Sequence, residues 1–148
     1  MDKKEIRKIV NFVKIQGKKA HADLDNRMAQ VPNVCSKGCD ACCYQMVSVH
    51  TWEEDVIGEF IECVMHPGVK KRVRAQLVEW WRDFRSRIRP VSKTNPLTLM
   101  EFQNLTLQMI QDRVMCPFLV DRQCSIYSVR PAICRSYVVS SDPGRCAT

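Results

Sequence analysis

Cysteines provide the clearest chemistry in this sequence. Four of the nine lie within nine residues, at the spacing C-x3-C-x2-C-C, and four more are spread over the C-terminal part of the chain. Thiolate is a soft ligand that selects zinc, copper(I) or iron–sulfur clusters over magnesium or calcium. Close spacings let one loop present several ligands, while distant cysteines complete the site. The two groups are Cys35, Cys39, Cys42 and Cys43, and Cys116, Cys124, Cys134 and Cys146.

These eight cysteines predict a metal centre formed by the 35–43 loop and the 116–146 tail. Two tetrahedral zinc sites would use four thiolates each. One iron–sulfur cluster together with a zinc ion, or a single cluster with spare thiols, also fits. Cys42 and Cys43 are adjacent and would be strained as ligands of one ion, so they face different metals or only one of them binds. The cysteine pattern therefore does not distinguish between zinc and an iron–sulfur cluster as the cofactor.

The remaining side chains of ligand type are assigned to structural roles. Cys63 falls in an apolar helical pattern, where reduced cysteine packs like a small hydrophobe, so it is expected to be buried. The histidines are expected on the surface or in the core rather than at the metal, although one of them follows Cys43 closely. These histidines are His21, His50 and His66.

Two arginines and a tyrosine lie near the C-terminal cysteines. Arg135 is adjacent to Cys134 and would either offset thiolate charge or form a surface ion pair. Arg130 and Tyr127 are candidates for donating hydrogen bonds to the ligands. A buried structural role fits Tyr127 equally well.

The length and the N-terminus bear on domain number and location. At 148 residues, the chain is expected to form a single domain over residues 1–148. Its charged N-terminus lacks the apolar stretch of a secretory signal, and no run of about 18 apolar residues suggests a membrane helix. We therefore expect a cytoplasmic protein without a membrane partner, in which reduced thiols bind metal rather than form disulfides.

The net charge of +7 is a weak argument for a nucleic-acid partner. If eight thiols were deprotonated on two divalent ions, the same chain would carry about +3. A metal ion or cluster is the expected partner, a protein partner is left open, and nucleic acid is not favoured. The alternative that stays open is a basic interaction module, in which residues 70–89 bind nucleic acid. Lysines and arginines cluster beside aromatic residues in this segment.

Hydrophobic periodicity predicts a mainly α fold, a small helical domain with an irregular cysteine-rich loop and tail. Apolar residues recur at three- and four-residue steps in four segments. The first carries Ile6, Ile9, Val10 and Val13 on its core-facing stripe, and Gly17 marks a close helix crossing or a bend. The four segments are 2–30, 51–66, 69–88 and 97–113.

Two further details of these helices can be predicted. Thr51 is expected to be an N-cap, with Glu54 completing a capping box. In the third segment, Trp80, Trp81 and Phe84 sit at the spacing of core residues. The aromatic residues are therefore assigned to packing rather than to a ligand surface.

The order of the motifs resembles the YkgJ-like cysteine-cluster family, whose domain is described as zinc- or iron-chelating. The resemblance rests on the 35–43 cluster, the helix entry after Val47, Cys116-Pro-Phe-Leu, Cys124-Ser-Ile-Tyr, Arg130-Pro and Cys134-Arg, within residues 33–66 and 114–147. The usual cluster of that family is C-x2-C-x2-C-C, and this chain has one extra residue between Cys35 and Cys39. The resemblance implies metal chelation.

The resemblance is also compatible with an enzymatic function for this protein. A related cysteine-cluster domain occurs in a flagellin lysine methylase, so a metal-dependent protein modification such as lysine methylation is the alternative function, with no catalytic residue located. Cys35, Cys39 and Cys42 also match the C-x3-C-x2-C spacing of radical S-adenosylmethionine enzymes. This chain lacks the length and the alternating strands and helices of their barrel, so that alternative is not favoured.

Overall fold

The computed structural model describes residues 2–32, 39–91 and 97–137. Helices dominate these ranges, and the one sheet within them has two antiparallel strands, so the predicted mainly α class is confirmed. No helix in these ranges is both long enough and apolar enough to cross a membrane. The elements are α1 (Lys3–Met28), a 3-10 helix (Ala41–Tyr44), α2 (Thr51–Cys63), α3 (Pro67–Val91), α4 (Leu99–Gln111), β1 (Leu119–Val120), β2 (Gln123–Cys124), a second 3-10 helix (Tyr127–Val129) and α5 (Ala132–Ser136).

The described residues group into two compact units. The first unit contains α1, α2, the second 3-10 helix and α5, and the second unit contains the first 3-10 helix, α3, α4 and the β1–β2 hairpin. The organisation as one domain over residues 1–148 stays a prediction.

In the first unit, α1 packs on α2 and α5 through the C-terminal part of its apolar stripe. Gly17 and His21 are its buried residues. A Cβ at Gly17 would lie 2.5 Å from Cε3 of Trp52, which is closer than carbon atoms approach in proteins. Of the two predictions for Gly17, a close helix crossing or a bend, the close approach is confirmed, and the residue is small because the indole ring occupies the space of a side chain.

The N-terminal part of the same stripe is exposed, so the prediction that it faces a core is wrong. Ile6, Ile9, Val10 and Val13 are each at least 40% exposed. The reason is length: a 26-residue helix runs about 39 Å, whereas the 13 residues of α2 cover about 20 Å of it.

The entry to α2 differs from the prediction by one residue. His50, not Thr51, has the extended N-cap backbone, and its N–H donates to Oε2 of Glu53 at 2.9 Å. Glu53 therefore takes the capping position predicted for Glu54. The apolar core of this unit includes Val56 and Ile57 of the same helix.

In the second unit, α3 and α4 contribute the most deeply buried apolar residues. Val73 of α3 is fully buried, and Leu105 of α4 is 1% exposed. Trp80 stacks on Phe84 with ring centroids 5.0 Å apart, as their spacing predicted, but Trp81 is 53% exposed. The core assignment is therefore wrong for Trp81, because adjacent helical residues point about 100° apart and the unit buries one side of α3.

The C-terminal tail was predicted to be irregular, but it contains one regular element, the β1–β2 hairpin. Leu119 pairs with Cys124 and Val120 with Gln123, so a two-residue turn joins the strands. Both turn residues, Asp121 and Arg122, have positive φ, at 51° and 60°. This is the turn geometry that matches the twist of a hairpin, and it usually selects Asn-Gly.

Candidate metal centre

The first 3-10 helix, Ala41–Tyr44, positions the adjacent cysteines of the N-terminal cluster. Its turn is closed by the N–H of Cys43, which donates to the carbonyl of Asp40 at 2.8 Å. A 3-10 helix has three residues per turn, so neighbouring side chains point about 120° apart. The backbone thus turns between Cys42 and Cys43, yet their thiols lie within hydrogen-bonding distance of each other. That the two residues face different metals, or that only one of them binds, stays a prediction.

A main-chain hydrogen bond joins this cluster to the C-terminal cysteines. The N–H of Cys116 donates to the carbonyl of Cys43 at 2.7 Å, although the two residues lie far apart in the sequence. The carbonyl of Cys116 in turn accepts from the N–H of Leu119 at 3.0 Å, in a turn that leads into β1. The backbone itself thus places Cys116 beside the 3-10 helix.

The β hairpin brings Cys124 back toward the same place. Cys124 lies on β2 opposite Leu119, and the next residue, Ser125, donates from its N–H and its hydroxyl to the carbonyl of Phe118 at 2.9 and 2.8 Å. These two bonds hold the chain just after Cys124 against the chain just after Cys116. Cys116 and Cys124 therefore lie close enough for their thiols to interact electrostatically.

Four thiols form one interacting group, which we call the thiol group: Cys42, Cys43, Cys116 and Cys124. A hydrogen bond with Cys42, burial, and the nearby thiols of Cys116 and Cys124 raise the pKa of Cys43 far above its ordinary value. Burial, partly offset by the N–H of Phe118, and the thiols of Cys124 and Cys42 raise the pKa of Cys116 to about 11. The thiols keep one another protonated, and a bound cation would reverse this effect.

The chemistry of the thiol group fits zinc or iron. Four soft donors come from two separate segments, which is the donor number of a tetrahedral zinc site or an iron–sulfur cluster. In residues 2–32, 39–91 and 97–137, no three Cys, His, Asp or Glu side chains are already arranged around a common ion position. Metal binding therefore requires the thiols to turn toward the ion.

The other predicted ligands are distributed as follows. Cys39 is exposed and lies two residues before the 3-10 helix of the second unit, and Cys134 lies on α5 of the first unit. Cys35 and Cys146 lie outside the described residues. Among the cysteines that the structure describes, none forms a disulfide.

Cys63 does not have the predicted burial. It is the last residue of α2 and is exposed, so the expectation of a buried cysteine is wrong. The buried apolar positions of this helix are Val56, Ile57 and Ile61, and no later residue of the helix is among them. Cys63 is therefore useful as a comparison for the cysteines of the thiol group.

His21, His50 and Arg135 belong to the first unit, whereas His66 belongs to the second. Nε2 of the buried His21 lies 2.7 Å from Oε1 of Glu53, while His50 and His66 are exposed. Arg135 is 6% exposed, pairs with Asp25 and donates to the carbonyl of Ser128 at 2.8 Å. The guanidinium of Arg135 is thus buried, while its partner Asp25 is 44% exposed, so the ion pair lies at the edge of the first unit.

Arg130 and Tyr127, candidates for hydrogen bonds to the ligands, contact each other instead. The guanidinium carbon of Arg130 lies 4.0 Å from the ring centroid of Tyr127. Tyr127 is 61% exposed, so the alternative of a buried structural role is wrong for it.

Sequence reasoning missed the charged residues beside the cysteine loop. Nε of Arg122 donates to Asp40 at 3.0 Å, and this guanidinium lies close enough to Cys39 to interact with it electrostatically. The guanidinium of Arg113 lies over the ring of Tyr44, with its carbon 4.6 Å from the centroid. No local pattern in the sequence predicts these contacts. The turn that carries Arg122 contains no glycine, so the sequence did not indicate a turn there.

Comparison with known families agrees with the donor chemistry. The model of the CxxCxxCC family, described as a putative zinc- or iron-chelating domain, matches residues 34–146. The chain belongs to this family. The matched range contains all eight predicted cysteine ligands and both segments of the thiol group, and the predicted resemblance is confirmed. No curated protein and no solved structure gives a significant match.

Proposed function

We propose that this protein binds zinc or an iron–sulfur cluster through the thiol group, Cys42, Cys43, Cys116 and Cys124, with Cys39 beside it. The observation that carries the proposal is the meeting of two distant cysteine segments in one unit, joined by the bond from Cys116 N–H to the Cys43 carbonyl. Membership of a family described as chelating zinc or iron supports it. That Cys35, Cys134 and Cys146 are also ligands stays a prediction.

The role that we propose for the metal is structural. When bound, zinc or a cluster would supply a cross-link between the 39–44 loop and the 116–124 segment, which no described disulfide provides. The residues of this chain contribute the donors, the hydrogen bonds that hold them and the nearby guanidinium of Arg122, which offsets part of the thiolate charge. We also propose a cytoplasmic location, where thiols stay reduced.

Elemental analysis of the full chain purified without oxygen, together with its visible absorption spectrum, tests the proposal. Brown protein with iron and acid-labile sulfide identifies a cluster, and colourless protein with about one or two zinc ions identifies tetrahedral sites. Protein that contains neither metal, and that binds neither when it is reduced and supplied with each, contradicts metal binding.

A second measurement tests the structural role separately. Removal of the metal with a chelator under reducing conditions should lower the melting temperature, because a ligand that binds the folded state stabilises it. A metal-free protein with the same melting temperature and helix content would contradict the structural role while leaving metal binding intact.

A further inference from the structure

A cleft of about 360 Å³ opens in the second unit beside the cysteine loop. Asp40 and Tyr44, which flank the adjacent Cys42 and Cys43, form part of its wall, and no described cysteine lines it. The volume lies within the range of about 300–1,000 Å³ that is usual for small-molecule sites. The cleft therefore has room for a ligand that is separate from the metal.

Three non-glycine residues that the structure describes have positive φ, and all three line this cleft. Arg113, Asp121 and Arg122 have φ values of 51°, 51° and 60°, and they are the non-glycine residues with positive φ in the described ranges. Each of them lines the cleft. Left-handed backbone costs energy in arginine, unlike glycine, asparagine or aspartate, so Arg113 and Arg122 are the strained positions, and such strain clusters at functional sites. The chain keeps charged residues where glycine would be easier to accommodate.

Arg113 illustrates this choice at the end of α4. It follows the C-cap, Asp112, at the position where helices usually place glycine. Its guanidinium lies over the ring of Tyr44 and forms no ion pair with a carboxylate that the structure describes. The stacked guanidinium keeps its N–H donors available to a ligand in the cleft.

The tip of the β hairpin contributes two further charges. Asp121 accepts hydrogen bonds from both terminal nitrogens of Arg72, at 2.7 and 2.8 Å, and Arg122 pairs with Asp40. These ion pairs orient two more guanidinium groups at the cleft, and each group has five N–H donors, so some remain for another partner. Three guanidinium groups face two carboxylates, which leaves the lining with a net positive charge.

A buried amide in the wall has an unused acceptor. Nε2 of Gln76 donates to the carbonyl of Leu119 at 3.0 Å, whereas its Oε1 is buried and has no hydrogen-bond partner among the described residues. Buried acceptors without a donor are uncommon in folded proteins.

We propose that the cleft binds a small molecule through an oxyanion group, either a phosphate or a carboxylate. Arginine recognises both groups through paired N–H donors, and Arg113 is the group that the ligand anion contacts first. Arg72 and Arg122, held by their aspartates, flank it. This proposal does not depend on the metal, because no described cysteine lines the cleft.

Titration of the full chain, as purified, with methyl phosphate and with succinate tests the proposal. At constant ionic strength, we expect saturable chemical-shift changes in the amides of residues 113, 121 and 122 and in the side-chain N–H groups of Arg113. The probe with the lower dissociation constant identifies the oxyanion. Absence of saturable shifts with both probes would overturn the proposal without the use of any variant.

Substitution of Arg113 separates binding from folding. Arg113→Asn should weaken binding of the better probe at least tenfold and should not lower the melting temperature, because asparagine tolerates positive φ. Arg85→Gln removes an exposed arginine of α3 that does not line the cleft, and it should leave the dissociation constant within twofold. Equal affinities of the two variants, or a lower melting temperature with unchanged affinity for Arg113→Asn, would show a purely structural arginine.

Discussion

Cys116 and Cys43 are joined through their main chains, with the N–H of Cys116 donating to the carbonyl of Cys43 across 2.7 Å. An amide hydrogen bond does not involve either thiol. Replacement of one cysteine in the thiol group therefore leaves the two segments side by side, so cysteine variants report on ligand chemistry rather than on a displaced backbone.

Cys116→Ser should lower the affinity for zinc or iron by more than about tenfold, since even substitutions behind the ligands of metal sites cost about 10–100-fold. Competition with a coloured chelator measures this change in the reduced protein. Cys63→Ser is the matched control, because Cys63 is exposed at the end of α2 and lies outside the thiol group. If the two variants held metal equally well, Cys116 would not be a ligand.

Glu53 should make the first unit sensitive to acid. Burial alone would raise the pKa of this carboxyl, but the N–H groups of His50 and Ala132, together with His21, outweigh burial and lower it. A lowered folded-state pKa stabilises the protein at pH values above about 4.5, and this stability is lost as the pH falls through the folded-state pKa. The free energy of unfolding of the wild type should therefore fall with pH in that acidic window.

The Glu53→Gln variant checks this pH dependence. An amide cannot accept from all the donors around Glu53, and each stranded group costs about 1–3 kcal/mol, so the variant should be less stable at pH 7. Its stability should also change less between pH 5 and about 3 than that of the wild type. Glu54→Gln, at an exposed neighbouring position, should behave like the wild type. Denaturant titrations at several pH values give both comparisons, and parallel curves for wild type and Glu53→Gln would contradict the role of Glu53.

Gly17→Ala and Gly58→Ala should change stability in opposite directions. Alanine is preferred to glycine inside a helix by about 1 kcal/mol. At Gly58 of α2 the added methyl meets no atom within 4 Å, so this variant should gain about that amount. At Gly17 the methyl would collide with the ring of Trp52, and overpacking costs of about 1–3 kcal/mol exceed the gain in propensity. Thermal unfolding of both variants measures the two changes in stability. Stabilisation by Gly17→Ala would contradict the close packing, because it would mean that the Trp52 ring moves aside at little cost.

Arg135→Lys should destabilise the first unit by about 2 kcal/mol or more. The buried guanidinium pairs with Asp25 and donates to the carbonyls of Arg130 and Ser128, and a lysine ammonium cannot reproduce that planar set of bonds. Arg27→Lys is the control, because Arg27 and its partner Asp23 are both more than half exposed. Such surface pairs contribute about 0–1 kcal/mol. Equal unfolding free energies for the two variants would show that the burial of Arg135 contributes nothing.

The helices could be predicted because they depend on local patterns, whereas the pattern at Gly17 left a close crossing and a bend as alternatives. Apolar residues at three- and four-residue steps specify a helix and one of its faces. The pattern does not specify whether another element covers that face. Ile9 and Trp81 satisfy the periodicity and are nevertheless about half exposed, because no neighbouring element of their units covers them.

The sequence predicts cysteine donors, and which of them bind a metal stays a prediction, whereas the surroundings of the cysteines could not be predicted. Cysteine spacing indicated the ligand type, since thiols have few other uses in such clusters. It could not reveal that Asp121 and Arg122 form a hairpin turn, because the expected Asn-Gly signal is absent. The charged cleft beside the cysteine loop therefore had no signature in the sequence, as its lining comes from a turn, a helix end and the face of α3.

The uneven burial of α1 has a consequence for its motions. Its N-terminal part, up to residue 14, has a capping box of Asp2 and Glu5, exposed apolar residues and Lys14, which binds Glu59 at 2.7 Å. The later turns contain the buried Gly17 and His21. Local opening should therefore begin at the N-terminal end and stop near the indole ring of Trp52. Amide hydrogens before residue 14 should exchange with solvent faster than those after residue 17. One continuous helix would then have a mobile N-terminal part and a rigid C-terminal part.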